Sequence, residues 1–280
     1  MTKKYQTIIE NIVRWGKSSE KIFAAVIIGS QSRTENPADD YSDLDIILFV
    51  DDPKYFLETE HWLENIGKPR ITFIEGTIAG QKERRILFEN ALDVDFVILP
   101  GEIINTAVIS EAITIFTSGY EILVDKIGLS GFLSKLNMMN EPVKLLSEKE
   151  FQNTVNDFWY HTVWTLRKLK RGEIWTAIMC LNSHIKQRLL RIIENYAKLT
   201  HGPGYNTWHN GRFIEEWTEP WINEKLRFCF SNYNDENCRT ALLATMDLFR
   251  KVAEESAALA GFHYPKDADE YATAVVKSML

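Results

Sequence analysis

The sequence predicts a mixed α/β sheet domain followed by an all-helical domain. Two observations carry this. Residues 22–100 hold five short apolar runs of strand length separated by turns and a helical stretch, whereas beyond about residue 148 apolar residues recur only at spacings of three and four. The chain has 280 residues, enough for two ordinary domains, with 45% hydrophobic and 25% charged residues, a globular balance. The predicted boundaries are 1–145 and 146–280, with the join between Asn140 and Ser147.

In order, Ile8, Ile9, Ile12 and Val13 mark one face of an N-terminal amphipathic helix. "IFAAVIIG" (22–29) is a strand rich in branched residues, stopped by Gly29. "LDIILFV" (44–50) is a second strand, ended by Asp51-Asp52-Pro53. "YFLETEHWLENIG" (55–67) reads as a helix, and "RITFIEG" (70–76), "RILFENA" (85–91) and "LDVDFVILP" (92–100) as further strands. Runs that are apolar on both faces are central strands covered by helices. In the second half, Trp159, Val163 and Leu166 share a helix face, with Phe158 and Trp159 expected in the core. Ile174, Ile178, Leu181, Ile185, Leu189 and Ile192 mark another helix, and Leu242, Met246, Phe249 and Ala253 a third. Ser147 followed by Glu150 fits a capping box at the start of the bundle.

Several classes are excluded or disfavoured. No apolar run reaches the roughly 18 residues a membrane span needs, and the N-terminus has no signal-peptide core. Cys180, Cys229 and Cys238 fit neither a zinc pattern nor a disulfide framework, so a reducing cytoplasm is expected. A net charge of −7 without a basic stripe disfavours a nucleic-acid partner and tolerates a cationic small molecule. Neither a Walker-type loop nor Gly-x-Gly-x-x-Gly occurs.

The chemistry-bearing residues lie at strand ends. Asp43 and Asp45 alternate on a strand, so both carboxylates face one way, where their repulsion calls for a cation. Hard oxygen ligands suit Mg²⁺ held between carboxylates and substrate phosphates. Asp93 and Asp95 also share a face. If their strand lies beside the first pair, one completes a three-carboxylate cluster, and Asp95 is favoured because Phe96–Leu99 follows it directly. The Gly29-Ser30 turn offers backbone N–H groups and a hydroxyl to an anion, and Arg33 adds charge. Metal on one side and N–H donors on the other would clamp a triphosphate.

This order, carried by "GSQSRTENPADDYSDLDI", resembles the polymerase β-like nucleotidyltransferase superfamily. Within it, "FWYHTVWTLRKLKRGEIW", "NTWHNGRFIEEW" and "ALLATMDLFRKVAEESAALAGFHYP" make the chain similar to the aminoglycoside (streptomycin) 6-adenylyltransferase family over nearly its whole length. The resemblance implies Mg²⁺-dependent transfer of AMP from ATP to a hydroxyl of an aminoglycoside, an antibiotic-resistance activity, with pyrophosphate leaving. Gly29 and Ser30 match the family's phosphate-binding pair, Asp43 and Asp45 its metal pair, and Asp95 its later acid, as metal ligand, general base or both. The family usually reads Gly-Ser-Arg where this chain has Gln31. That raises altered nucleotide handling, with Arg33 as a substitute for the missing charge. The resemblance leaves the chain a monomer or a homodimer. The competing readings are another small acceptor, such as a lincosamide or a metabolite, and a catalytically silent nucleotide binder.

For the acceptor, "NTWHNGRFIEEWTEPW" offers Trp208, Glu215, Glu216 and Glu219, and the first domain offers Glu75 and Glu89. Solvated faces are the competing reading for the glutamates. Lys168, Lys170 and Arg171 form a basic run at a helix end. His161, His184 and His209 read as structural or surface residues, because no His-His spacing suggests zinc.

Overall fold

The computed structural model describes residues 2–77, 80–105, 116, 119–136 and 145–280. The chain divides into two compact units, Met1–Asn140 and Glu141–Leu280; part of the expected join, 140–144, lies outside the described residues.

The first unit is built on a six-stranded mixed sheet. Its strands are β1 (Ile22–Ile28), β2 (Leu44–Val50), β3 (Pro69–Gly76), β4 (Lys82–Phe88), β5 (Leu92–Pro100) and β6 (Glu121–Asp125), in the order β3-β4-β5-β2-β1-β6. Only β2 and β5 pair in parallel; the other neighbours are antiparallel. β1 and β2 are buried almost end to end, as continuous apolar runs on both faces require. One face packs against α1 (Gln6–Ser18) and α2 (Pro53–Glu58) through Ile8, Ile12, Phe56, Trp62 and Phe96. The other packs Ala24, Val26, Ile47 and Phe49 against Leu129 and Leu133 of α3 (Leu129–Leu136).

Three expectations change here. The helix expected over 55–67 is two pieces: α2 stops at Thr59, which is extended, and a 3₁₀ segment covers His61–Asn65. The buried Trp62 indole N–H bonds the carbonyls of Phe56 (3.1 Å) and Thr59 (3.0 Å), closing the bend. The strand expected over 85–91 ends at Phe88, because Asn90 and Ala91 have φ of 64° and 55°, which no strand continues. β6 was not anticipated; "EILVD" is short and only Val124 is buried.

The described residues of the second unit hold helices and no strand: α4 (Glu148–Lys170), α5 (Ile174–Met179), a π-helical turn (Cys180–Ile185), α6 (Lys186–His201), the short α7 (Ile214–Trp217) and α8 (Pro220–Leu226), α9 (Asp235–Ala260) and α10 (Lys266–Met279). The expected capping box starts α4: the Ser147 hydroxyl accepts from Glu150 N, and the Glu150 carboxylate accepts from Ser147 N at 2.9 Å. The core is aromatic, with Phe158 stacked on Phe249 at 3.5 Å and Trp159 edge-on to the same ring. Phe158 and Trp159 are buried, as expected. The expected helix through Ile174–Ile192 is continuous but widens at the π-helical turn. Two successive spacings of four, Leu181–Ile185–Leu189, are kept on the core face by that wider turn.

Candidate active site

The site grows from the register of the sheet. Ile28 of β1 lies opposite Asp45 of β2, Asp45 opposite Asp95 of β5, and Asp95 opposite Arg85 of β4. Residues paired across a sheet share a face, so this row sets two carboxylates and a guanidinium side by side. Asp43, two residues before Asp45, joins the same face. Carboxylate oxygens of Asp43, Asp45 and Asp95 lie within 4.8 Å of one another. The condition placed on the fifth strand is met, and Asp95 rather than Asp93 completes the cluster.

Gly29 closes the site from the β1 side. Its φ is +71°, and a Cβ there would stand 2.3 Å from Asp45 Oδ2. Only glycine fits, for backbone conformation and for space. Ser30 is buried, and among the described residues its hydroxyl has no hydrogen-bond partner. Its neighbour Gly29 abuts the Asp45 carboxylate, so this orphaned hydroxyl, one residue on, is an unused donor for an anion held at the cluster. The residues therefore fit a divalent cation with a phosphate ligand.

Asp95 is the buried acid of the three, and its carboxyl is pushed up to about 6. Burial is the main cause, and Asp93 and Asp43 add repulsion; Arg85 opposes them with a two-pronged bond, Nε to Oδ1 at 2.9 Å and Nη2 to Oδ2 at 2.7 Å. Arg85 also holds Glu75 at 2.9 Å. Glu83, across the β3–β4 pair from Glu75 and bonded to it, is raised to about 7 by burial, Asp95 and Glu75. Sequence reasoning missed Arg85. The available signal was the pair Arg84-Arg85 inside a strand, where alternation sends one arginine to each face. Arg84 goes inward, to the carbonyls of Phe56 and Leu57. Tyr5 was missed too: its buried hydroxyl donates to the carbonyls of Ser42 and Asp93, both at 3.0 Å, tying the approach to β2 to the start of β5.

Two residues expected at the site have other duties. Gln31 is buried; its amide N–H donates to the Asp43 carbonyl at 2.9 Å and its amide oxygen accepts from Thr2 N at 3.0 Å. It holds the backbone of a carboxylate residue. Glu89, expected to meet a cationic acceptor, is engaged by Arg70 and by Lys68 at 3.7 Å, which hold its carboxyl below its usual range. Arg33 donates from Nε to the Asn36 carbonyl at 2.8 Å.

In the second unit, Glu215 and Glu216 are exposed on α7, and Trp208 sits edge-on to Phe213 at 5.4 Å. Glu219 pairs with His201 at 3.1 Å. The basic run is partly closed by Glu173, which pairs with Lys168 and Arg171. His161 and His184, read from sequence as unconnected, meet at Asp157.

A mixed sheet that gathers three acids beside a Gly-Ser turn is the frame of a nucleotidyltransferase, and the comparisons with known proteins agree on that class. The family model described as streptomycin adenylyltransferase matches residues 2–279, so the chain belongs to that family. It is similar to the aminoglycoside 6-adenylyltransferase of Campylobacter jejuni, 23% identical over 92% of this chain and 90% of the relative. It is also similar to that of Bacillus subtilis (strain 168), 24% identical over 95% and 94%. Among solved structures, an aminoglycoside 6-adenyltransferase from Bacillus subtilis aligns over 100% of this chain and 99% of its own, with a TM-score of 0.48 and 20% identity.

Proposed function

We propose that the protein transfers AMP from ATP to a hydroxyl of an aminoglycoside such as streptomycin, in the cytoplasm, with residues 1–145 carrying the nucleotide chemistry and 146–280 serving the acceptor. The observation that supports this most is the convergence of Asp43, Asp45 and Asp95, with the Gly29-Ser30 turn closed onto Asp45. Those three acids would hold Mg²⁺, which when bound neutralises triphosphate charge and lowers the pKa of a bound hydroxyl.

The chain's own residues do the rest. Gly29 lets the turn close onto the Asp45 carboxylate, and Ser30 Oγ donates to a phosphate oxygen. Asp95 takes the proton of the acceptor hydroxyl as its oxygen attacks the α-phosphorus; the P–O bond to pyrophosphate breaks and the AMP ester forms. Arg85 fixes the plane of that carboxylate with a two-pronged bond, and catalysis by positioning depends on such support. Trp208, Glu215 and Glu216 are the proposed acceptor contacts, aromatic and anionic groups suited to an aminoglycoside's sugar rings and ammonium groups.

The test is pyrophosphate release from Mg-ATP by the purified chain, screened over aminoglycosides, lincosamides and the four nucleoside triphosphates. Release dependent on streptomycin or a related aminoglycoside is expected. Turnover only with a lincosamide would move the acceptor, and no turnover with any pair would overturn the reading.

A further inference from the structure

We infer that the helical unit carries a second metal site, for a borderline transition ion such as Zn²⁺, formed by Asp157, His161 and His184. The donors come from two elements. Asp157 and His161 lie at i and i+4 on α4, hence on one face of that helix. His184 comes from the π-helical turn between α5 and α6; such turns are uncommon and concentrate at functional sites.

Their donor atoms are gathered by hydrogen bonds that an ion would replace, the ligand atoms opening to about 3.3 Å apart around it. Oδ1 of Asp157 lies 2.6 Å from His161 Nδ1 and 2.8 Å from His184 Nε2, and the two imidazoles stand 4.0 Å apart, centre to centre. His161 Nδ1 also lies 2.9 Å from the Asp157 carbonyl, a contact it would give up on ligating. The other carboxylate oxygen, Oδ2, accepts from Arg188 Nε. One carboxylate oxygen aimed at the imidazole nitrogens and the other held by a hydrogen-bond donor is the arrangement that orients a metal-ligating carboxylate. The side chains are 22–32% exposed, so an ion has a path in and solvent can fill its remaining positions.

The donor set separates this site from the one on the sheet. Two imidazoles and one carboxylate suit Zn²⁺, Co²⁺, Ni²⁺ or Cu²⁺, whereas three carboxylates suit Mg²⁺. Binding here would displace the protons of two ring nitrogens, so affinity rises with pH. Arg188 adds a positive charge beside the ion and makes the site weaker than an all-histidine or thiolate one.

The test uses the full chain carrying Asp45→Asn, which disables the sheet cluster, titrated with Co²⁺ and read by visible absorption. A nitrogen-ligated Co²⁺ spectrum is expected at up to about 1 mM metal. It should disappear with His161→Ala or His184→Ala and persist with His201→Ala, whose imidazole pairs elsewhere. Zn²⁺ should raise the melting temperature of the Asp45→Asn chain and not of the two cluster variants. His184→Gln, closer in size, replaces His184→Ala if metal-free circular dichroism shows the alanine variant unfolded. No Co²⁺ bands, or bands surviving loss of both histidines, would overturn the site. Neither result bears on pyrophosphate release by the wild-type chain.

Discussion

Two buried aspartates, one in each unit, show what separates a supporting carboxylate from a working one. Asp269 in the helical unit is almost fully enclosed. It accepts from Arg250 at 2.7 and 2.8 Å, from the Tyr264 hydroxyl at 2.8 Å and from Thr273 at 3.0 Å. Tyr264 in turn receives the Trp159 indole N–H at 3.2 Å, so the network reaches the aromatic core. Asp95 is equally enclosed and has an equally good arginine. Yet it faces Asp43 and Asp45 instead of donors. A bidentate arginine is common to both; unrelieved like charge belongs only to the second. The lesson is that the site is marked by what the fold leaves unresolved, at a cost other parts of the molecule must cover.

Exchanging the two acids separately should break the comparison most visibly. Asp45→Asn is expected to lower kcat for pyrophosphate release by about 10³-fold or more, since several kcal/mol of charge stabilisation go with the metal. Its folding should be unimpaired or improved, because a repulsion is removed. Asp269→Asn should do the reverse, costing about 1–3 kcal/mol in urea unfolding by loosening a buried hydrogen-bond network around half-buried Arg250, which keeps Asp247 and Thr273, with turnover per folded molecule retained. Equal effects on activity would erase the distinction.

Gly29→Ala tests the contact between the Gly-Ser turn and Asp45. A methyl 2.3 Å from Asp45 Oδ2, at a φ of +71°, must displace either the carboxylate or the turn. A loss of about 10²-fold in kcat/KM is expected, with a smaller loss of stability, about 1 kcal/mol or more from the backbone alone. Near-normal turnover would mean the turn tolerates rearrangement.

The smallest effect is a pH dependence. Glu83 is raised from 4.5 to about 7 in the folded chain, so between those values the folded state holds more of its proton than the unfolded state does. Stability from this group is therefore present below pH 4.5 and lost as pH rises through about 7. Glu83→Gln should remove that slope. Because the side chain is partly open to solvent, the difference between the two urea-unfolding profiles is on the order of 1 kcal/mol. Parallel profiles would show that Glu75 and Glu83 are not sharing a proton in the folded state.

Legibility followed the range of the interaction. Strand β5 was readable to its end residues, because apolar runs and a closing proline are local signals. The carboxylate cluster was readable because alternation within each strand is local too, and one assumption, that β2 and β5 are neighbours, joined the halves. Arg85 was not readable as Asp95's clamp, since that depends on the register of β4 against β5. His184 was not readable either. At spacing 23 from His161 it meets its partner only through the π-helical turn, and the two spacings of four that flag such a turn look ordinary without it. Gln31 misled for the opposite reason: a motif suggested a role by position, and burial redirected its amide to Thr2 and Asp43.

That redirection has a consequence for anyone wishing to restore the arginine of the family pattern. Gln31 accepts at one end and donates at the other, whereas arginine has five donors and no acceptor. Placed in this pose, a guanidinium would turn N–H against the N–H of Thr2 and leave that amide with no oxygen to meet. Reversion would rewire the backbone under Asp43 before it added any charge to the nucleotide, so the glutamine and the first turn of the chain have to be exchanged as one part.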